Sequence, residues 1–267
     1  MIERNFQESN LGLIAENDGF KFSDTFFPYT SGEIGPYFVN SEVVVKSPTA
    51  YHHAIESLKH IVLHEIGLNN FDLISGGESR DWLFSNPLSK DIMKPLRILY
   101  KDGRKFGGDV NGKRVLHVSD LNNEGSSLRD LWVPSIRKDG GTIEHYLTYV
   151  ERMEKGIGVL RSLGIQGHSV VPLDEVAWNF LLKWETLDEN VYRNVRERAE
   201  NQDAWGIKML QSDKGRKTLA EYLKGNKPEV AKAEKVMDYY SEFVDFTDFL
   251  RDISRKKVEG DLARLQT

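Results

Sequence analysis

Val115-Leu116-His117-Val118-Ser119-Asp120-Leu121-Asn122-Asn123-Glu124-Gly125-Ser126-Ser127 is the stretch on which the fold turns. A short apolar run ends at an acidic residue. A small polar loop carrying Gly125 then leads into the helix-like Ser127-Leu128-Arg129-Asp130-Leu131. In an α/β fold, such a strand-loop-helix sets backbone N–H groups and a helix N-terminus around an anion, with Asp120 at the strand's carboxyl end.

Outward from this stretch, apolar runs and helical patterns alternate. Strands are expected at Phe71–Ser75, Leu96–Tyr100, Val115 onward, Thr142–Val150 and Gly167–Val171. Helices are expected from Pro48, over Trp82–Asp91, Ser127–Lys138 and Gly156–Leu163. This predicts an α/β fold with a doubly wound parallel sheet. Phe26 to Lys46 is aromatic and punctuated by Gly and Pro, which predicts short strands with a turn at Ser31-Gly32 and a third apolar run at Val43-Val44-Val45. After Pro172 the pattern is helical, and from Asn201 it is charge-rich without strand signals. The expected organisation is an α/β domain over residues 1–200, including an N-terminal hood segment, and a C-terminal helical extension over 201–267.

At 267 residues the chain can bury a full α/β core. Its 36 Lys+Arg against 41 Asp+Glu give a net charge of −5, which argues against a general nucleic-acid binder. There are no cysteines, hence no disulfides and no thiolate metal sites. No apolar run is long enough for a membrane span, and Met1-Ile2-Glu3-Arg4-Asn5-Phe6 lacks a signal-peptide core. A cytoplasmic protein is expected, without membrane or nucleic-acid partners.

Three further segments carry candidate chemistry. Gly76-Gly77-Glu78-Ser79 lies between a strand and a helix, so its amides offer a second anion site, although a tight β-to-α turn alone also calls for glycine. Lys101-Asp102-Gly103-Arg104-Lys105-Phe106-Gly107-Gly108 reads either as a solvated loop or as a mobile basic lid over a diphosphate. Arg152, in Glu151-Arg152-Met153-Glu154, stands at a strand end, where it would fork onto a ligand carboxylate or pair with a neighbouring glutamate. The histidines form no metal constellation, and no nucleophile elbow is present.

The Val115–Ser127 run resembles the phosphoribosyl-diphosphate (PRPP) loop of type I phosphoribosyltransferases. Four other segments, in order, make the resemblance closest to orotate phosphoribosyltransferase. Phe26-Phe27-Pro28-Tyr29-Thr30-Ser31-Gly32-Glu33-Ile34-Gly35-Pro36-Tyr37-Phe38 is similar to the family's N-terminal segment, and Gly76-Gly77-Glu78 to its diphosphate turn. Lys101 to Lys105 occupies the place of its basic lid, and Glu151-Arg152-Met153-Glu154-Lys155-Gly156 resembles its Asp-Arg-x-Glu-x-Gly. The resemblance implies PRPP binding by Gly76, Gly77, Glu78, Asp120, Asn123, Gly125, Ser126 and Ser127, and orotate binding by Arg152, Tyr37 and Phe38. It implies catalytic roles for Asp120, Lys101, Arg104 and Lys105, Mg²⁺ carried on PRPP rather than on protein ligands, a homodimer, and a place in pyrimidine biosynthesis.

The family pattern is not complete. Thr30 and Glu33 replace its lysine and arginine, Ser119 stands in place of the first acid, and Glu124 lies where a small residue meets the 5′-phosphate. A carboxylate a few ångströms from a phosphate costs on the order of several kcal/mol. The alternative is an impaired phosphoribosyltransferase fold that binds a nucleotide, another small ligand or a protein partner.

Overall fold

The computed structural model describes residues 2–249 and Arg251. These fall into two compact units, 2–20 with 39–186, and 21–38 with the described residues from Leu187 onward. The first unit carries a six-stranded sheet. Its strands are β3 (Leu73–Gly77), β4 (Leu96–Leu99), β5 (Lys105–Gly107), β6 (Arg114–Asn122), β7 (Thr142–Glu151) and β8 (Gln166–Pro172), in the order β5-β4-β3-β6-β7-β8. All neighbours run parallel except β5, which is antiparallel to β4. From β3 the chain winds outward to β4, and from β6 it winds the opposite way to β7. The crevice beyond the carboxyl ends of β3 and β6 is therefore the topological switch point, where open α/β sheets bind ligands.

Helices cover both faces. On one, a π turn at Leu128–Trp132 runs into α4 (Val133–Lys138) and lies beside α5 (Lys155–Leu163). Trp132, Val133, Ile136 and Leu160 pack there on Val115, Ile143 and Tyr146. On the other are α1 (Ile2–Glu16), α2 (Pro48–Ile61), α3 (Trp82–Asp91) and α6 (Glu175–Lys183). Phe84 of α3 stacks on Tyr149 at 4.9 Å, and the Tyr149 hydroxyl donates to Asn10 of α1. Alternation along β7 thus sends Tyr146 to one face and Tyr149 to the other. α2 starts where the sequence indicates, with the Ser47 hydroxyl capping Ala50 and Pro48 in the first turn.

The second unit holds most of the hairpin β1 (Phe20–Pro28) and β2 (Ile34–Val39), with α7 (Glu189–Glu200), α8 (Gln202–Gln211), α9 (Asp213–Leu223) and α10 (Lys227–Tyr239). Phe26 and Ile34 share an apolar core with Trp205, Leu210, Leu219, Val236 and Tyr240. Arg198 is buried in it, donating from Nε to the Ile34 carbonyl at 2.8 Å.

Three sequence expectations differ from what is observed. The division of the chain falls at Thr186/Leu187 rather than near residue 200, and α7 is tied to the β1–β2 segment by the bond from Arg198 Nε to the Ile34 carbonyl. Val43-Val44-Val45 lies in a 3₁₀ turn, Ser41–Lys46, since a short apolar run has no period that separates helix from strand. The 101–108 stretch is a hairpin whose second arm is β5.

Candidate active site

The register Leu73↔Val115 to Ser75↔His117 brings the Gly76–Gly77 turn and Asp120 out at the same end of adjacent strands. Glycine at 77 is a packing requirement, because a Cβ there would stand 2.3 Å from the Trp132 indole. The Trp82 indole N–H donates to the Gly76 carbonyl, and the Glu78–Ser79 peptide is cis. Glu78 accepts the backbone N–H of Lys101 at 2.9 Å, tying the β4–β5 turn to the glycine turn.

Asp120 is buried, and Ser41 Oγ donates to its Oδ2 at 2.9 Å. Its backbone N–H donates to Asp81 Oδ1 at 3.2 Å, while Asp81 Oδ2 accepts the Gly77 N–H at 3.0 Å. Burial, and after it the charge of Asp120, push Asp81 well above the usual carboxylate range. Burial raises Asp120 as well, opposed by hydrogen bonds from Ser41 and Asp81 and by the charge of Arg80. Two buried carboxyls this close disfavour carrying two charges at once. His117, stacked between Trp132 and Tyr146, bonds Ser75 through Nδ1 at 2.8 Å, and burial lowers it to about 3. It is a neutral core histidine. Ser119 points to the same face and bonds the Tyr146 hydroxyl and Thr148.

The loop after β6 turns at Gly125, whose φ of +67° favours glycine. The Asn123 carbonyl accepts the Gly156 N–H at 2.8 Å, and the Gly125 carbonyl accepts the Arg129 N–H at 2.9 Å. Ser126 and Ser127 are exposed in the first helical turn, with Glu124 half-buried before them. This is the strand-loop-helix read from the sequence, with an added acid at the point where an anion would dock.

At the end of β7, Glu151 accepts Asn122 Nδ2 at 2.6 Å and the Met153 N–H at 3.2 Å, and burial raises its carboxyl to about 7. The Arg152 backbone N–H donates to the Asn122 carbonyl, which places Arg152 beside the PRPP-type loop. Its guanidinium pairs with Glu154 at 2.9 Å, both side chains being almost wholly buried.

The cations expected in a lid divide into two groups. Lys101 and Arg104 are exposed on the hairpin turn, Arg104 pairing with Asp102 and lying over the Tyr100 ring at 4.6 Å. Lys105 is on β5, with its ammonium 2.7 Å from Asp139 and 3.2 Å from the Ser135 carbonyl. Tyr37 and Phe38 belong to the second unit, where Tyr37 is buried and accepts the Tyr29 hydroxyl proton through its carbonyl. Sequence reasoning missed Asp81 and Ser41. Their significance rests on which strand ends the register brings together, although an acid four residues after a strand-end glycine was a usable signal for Asp81.

No protein-family model matches the chain. Orotate phosphoribosyltransferase of Sulfolobus acidocaldarius is 31% identical over 170 residues, covering 61% of this chain and 83% of that protein. Among solved structures, UMP synthase of Leishmania donovani superposes with a TM-score of 0.65 at 18% identity over 73% of this chain. The match spans only 42% of that longer protein. Orotate phosphoribosyltransferase of Francisella tularensis gives a TM-score of 0.58 at 18% identity, covering 71% of this chain and 96% of that one. The two structures share the fold over about seven tenths of this chain, and the Sulfolobus protein matches it over 83% of its own length. With the two glycine-bearing loops at the switch point of a parallel sheet, the chain belongs to the orotate phosphoribosyltransferase family.

Proposed function

We propose that the chain transfers the phosphoribosyl group of PRPP to orotate, releasing diphosphate and forming orotidine 5′-monophosphate. The observation that carries this reading is the pairing of β3 with β6, which sets the Gly76–Glu78 turn and the Asp120 loop side by side at the switch point. A ligand with phosphate groups at both ends of a pentose fits two adjacent anion loops. In this reading Asp120 holds the ribose hydroxyls, and Asn123, Gly125, Ser126 and Ser127 surround the 5′-phosphate. Gly76, Gly77 and Glu78 line the diphosphate, and Lys101 and Arg104 meet it as it leaves. Lys105 would first have to give up Asp139.

Orotate, its N1 proton lost to solvent, attacks C1 of the ribose through N1 as the C1–O bond to diphosphate breaks, so catalysis rests on positioning and on stabilising charge. Arg152 would orient the orotate carboxylate, exchanging its contact with Glu154 for the ligand. The oxygen donors at this end, Asp120 and Ser41, suit a hard cation held chiefly by substrate oxygens; Mg²⁺ carried on PRPP would neutralise the departing diphosphate. We further propose a homodimer, a cytoplasmic location and a role in pyrimidine biosynthesis. Among the described residues no helix is long and apolar enough to cross a membrane.

A second reading, a fold that binds PRPP without transfer, is favoured by Glu124 in the phosphate loop and by the buried Arg152–Glu154 pair. Nucleotide formation from PRPP and Mg²⁺ with orotate, uracil and adenine in parallel distinguishes these. The proposal requires product with orotate above the other bases. Saturable PRPP binding without any nucleotide would establish the second reading instead.

A further inference from the structure

Asp81 occupies the N-cap of α3, yet its side chain makes no capping bond to that helix. An aspartate at this position ordinarily accepts an N–H from the first turn. Here the carboxyl reaches backward, one oxygen to the Gly77 N–H and the other to the Asp120 N–H. Gly77 closes β3 and Asp120 lies near the end of β6, both beyond the last ladder pair of those two strands, Ser75↔His117. Asp81 is itself nearly buried, with His117 Nε2 3.8 Å from its Oδ2.

We propose that Asp81 is a positioning residue, a strut that fixes the spacing between the diphosphate turn and the ribose loop and so selects ligands that span both. The proposal rests on the transferase reading for the identity of the ligand but on this chain's own hydrogen bonds for the strut. A single side chain bonded to both strand ends leaves little freedom to the separation of the loops that follow them. A ligand that bridges two subsites gains from linkage only when their spacing matches its own. Ligands filling one subsite have no such dependence.

The test compares PRPP, diphosphate alone and ribose 5-phosphate alone, each with Mg²⁺, on the parent, Asp81→Asn and Asp81→Ala. Asn retains one of the two acceptor contacts, and Ala removes both. PRPP is expected to bind about tenfold or more weakly to the variants, while each half-ligand changes by less than about threefold. Ala should exceed Asn in effect, and KM for PRPP should rise more than kcat falls. Equal weakening of all three ligands, or unchanged PRPP binding, would overturn the strut. Amide hydrogen exchange without ligand gives a separate readout. Gly77 and Asp120 should lose protection together in Asp81→Ala, and unchanged protection at either would overturn it as well. If the parent binds none of the three ligands, the transferase reading fails and the exchange result alone decides the strut.

Discussion

The carboxyl end of the β3–β6–β7 strands and the hairpin turn between β4 and β5 carry opposite charges in opposite surroundings. At the strand ends Asp81, Asp120 and Glu151 are buried and bonded to backbone N–H groups or to side chains from neighbouring elements. On the turn, Lys101 and Arg104 stand in water, and the ion-pair partner of Arg104 is only two residues away. A change at the strand ends must therefore disturb packing, proton occupancy and ligand together. Replacing a charged side chain on the turn acts chiefly through charge, and salt screens it.

Two glycine substitutions draw this contrast in stability. Gly77→Ala drives a methyl into the Trp132 indole and should cost about 3 kcal/mol. Gly103→Ala, on the turn, meets nothing within 4 Å and should cost about 1 kcal/mol through its φ of +87°. Denaturant unfolding of both variants checks the order, and equal losses would break the comparison.

Glu151 offers a pH-resolved version. Its folded value of about 7 lies above the ordinary 4.5, so between these the folded chain binds more protons than the unfolded one. Its contribution to stability then falls as pH rises from about 4.5 to about 7. Glu151→Gln should be more stable than the parent at pH 8 by roughly 1–3 kcal/mol relative to the difference at pH 4. A difference independent of pH would show that Glu151 does not titrate in this range.

Arg152→Ala is expected to raise KM for orotate about tenfold or more while KM for PRPP stays within about twofold, since a carboxylate fork concerns only the base. Equal rises for both substrates would instead assign Arg152 to holding the β7 end together through Glu154. The smallest effects belong to the hairpin. Lys101→Ala should lower kcat by a few-fold, more so at low salt, with stability changed by less than about 0.5 kcal/mol. Lys105→Ala should do the reverse, lowering stability by about 1 kcal/mol through Asp139 and leaving kcat nearly unchanged. Interchanged outcomes would place Lys105 rather than Lys101 at the diphosphate.

The sheet was legible because its strands are contiguous apolar runs bounded by glycine or polar turns, as at Leu73–Gly77 and Arg114–Asn122. The three residues of β5 were not, being too few to show a period. The places of Asp120, Arg152 and the Gly125 turn at strand ends could be read because each lies inside a local motif. Asp81 and Ser41 could not, since what they do depends on partners far away in the chain, Asp81 reaching Asp120 across 39 positions and Ser41 across 79. The division between the units was likewise hidden, because α7 bonds to a segment 164 residues earlier, Arg198 donating to the Ile34 carbonyl.

The central claim is that the β3 and β6 ends together form a PRPP site with Asp120 at its ribose. Calorimetric titration with PRPP and Mg²⁺, of the parent and of Asp120→Asn, tests it most directly. The account requires saturable binding by the parent and a loss on the order of a hundredfold in the variant, with the fold retained. No binding by the parent, or equal binding by the two, would contradict it.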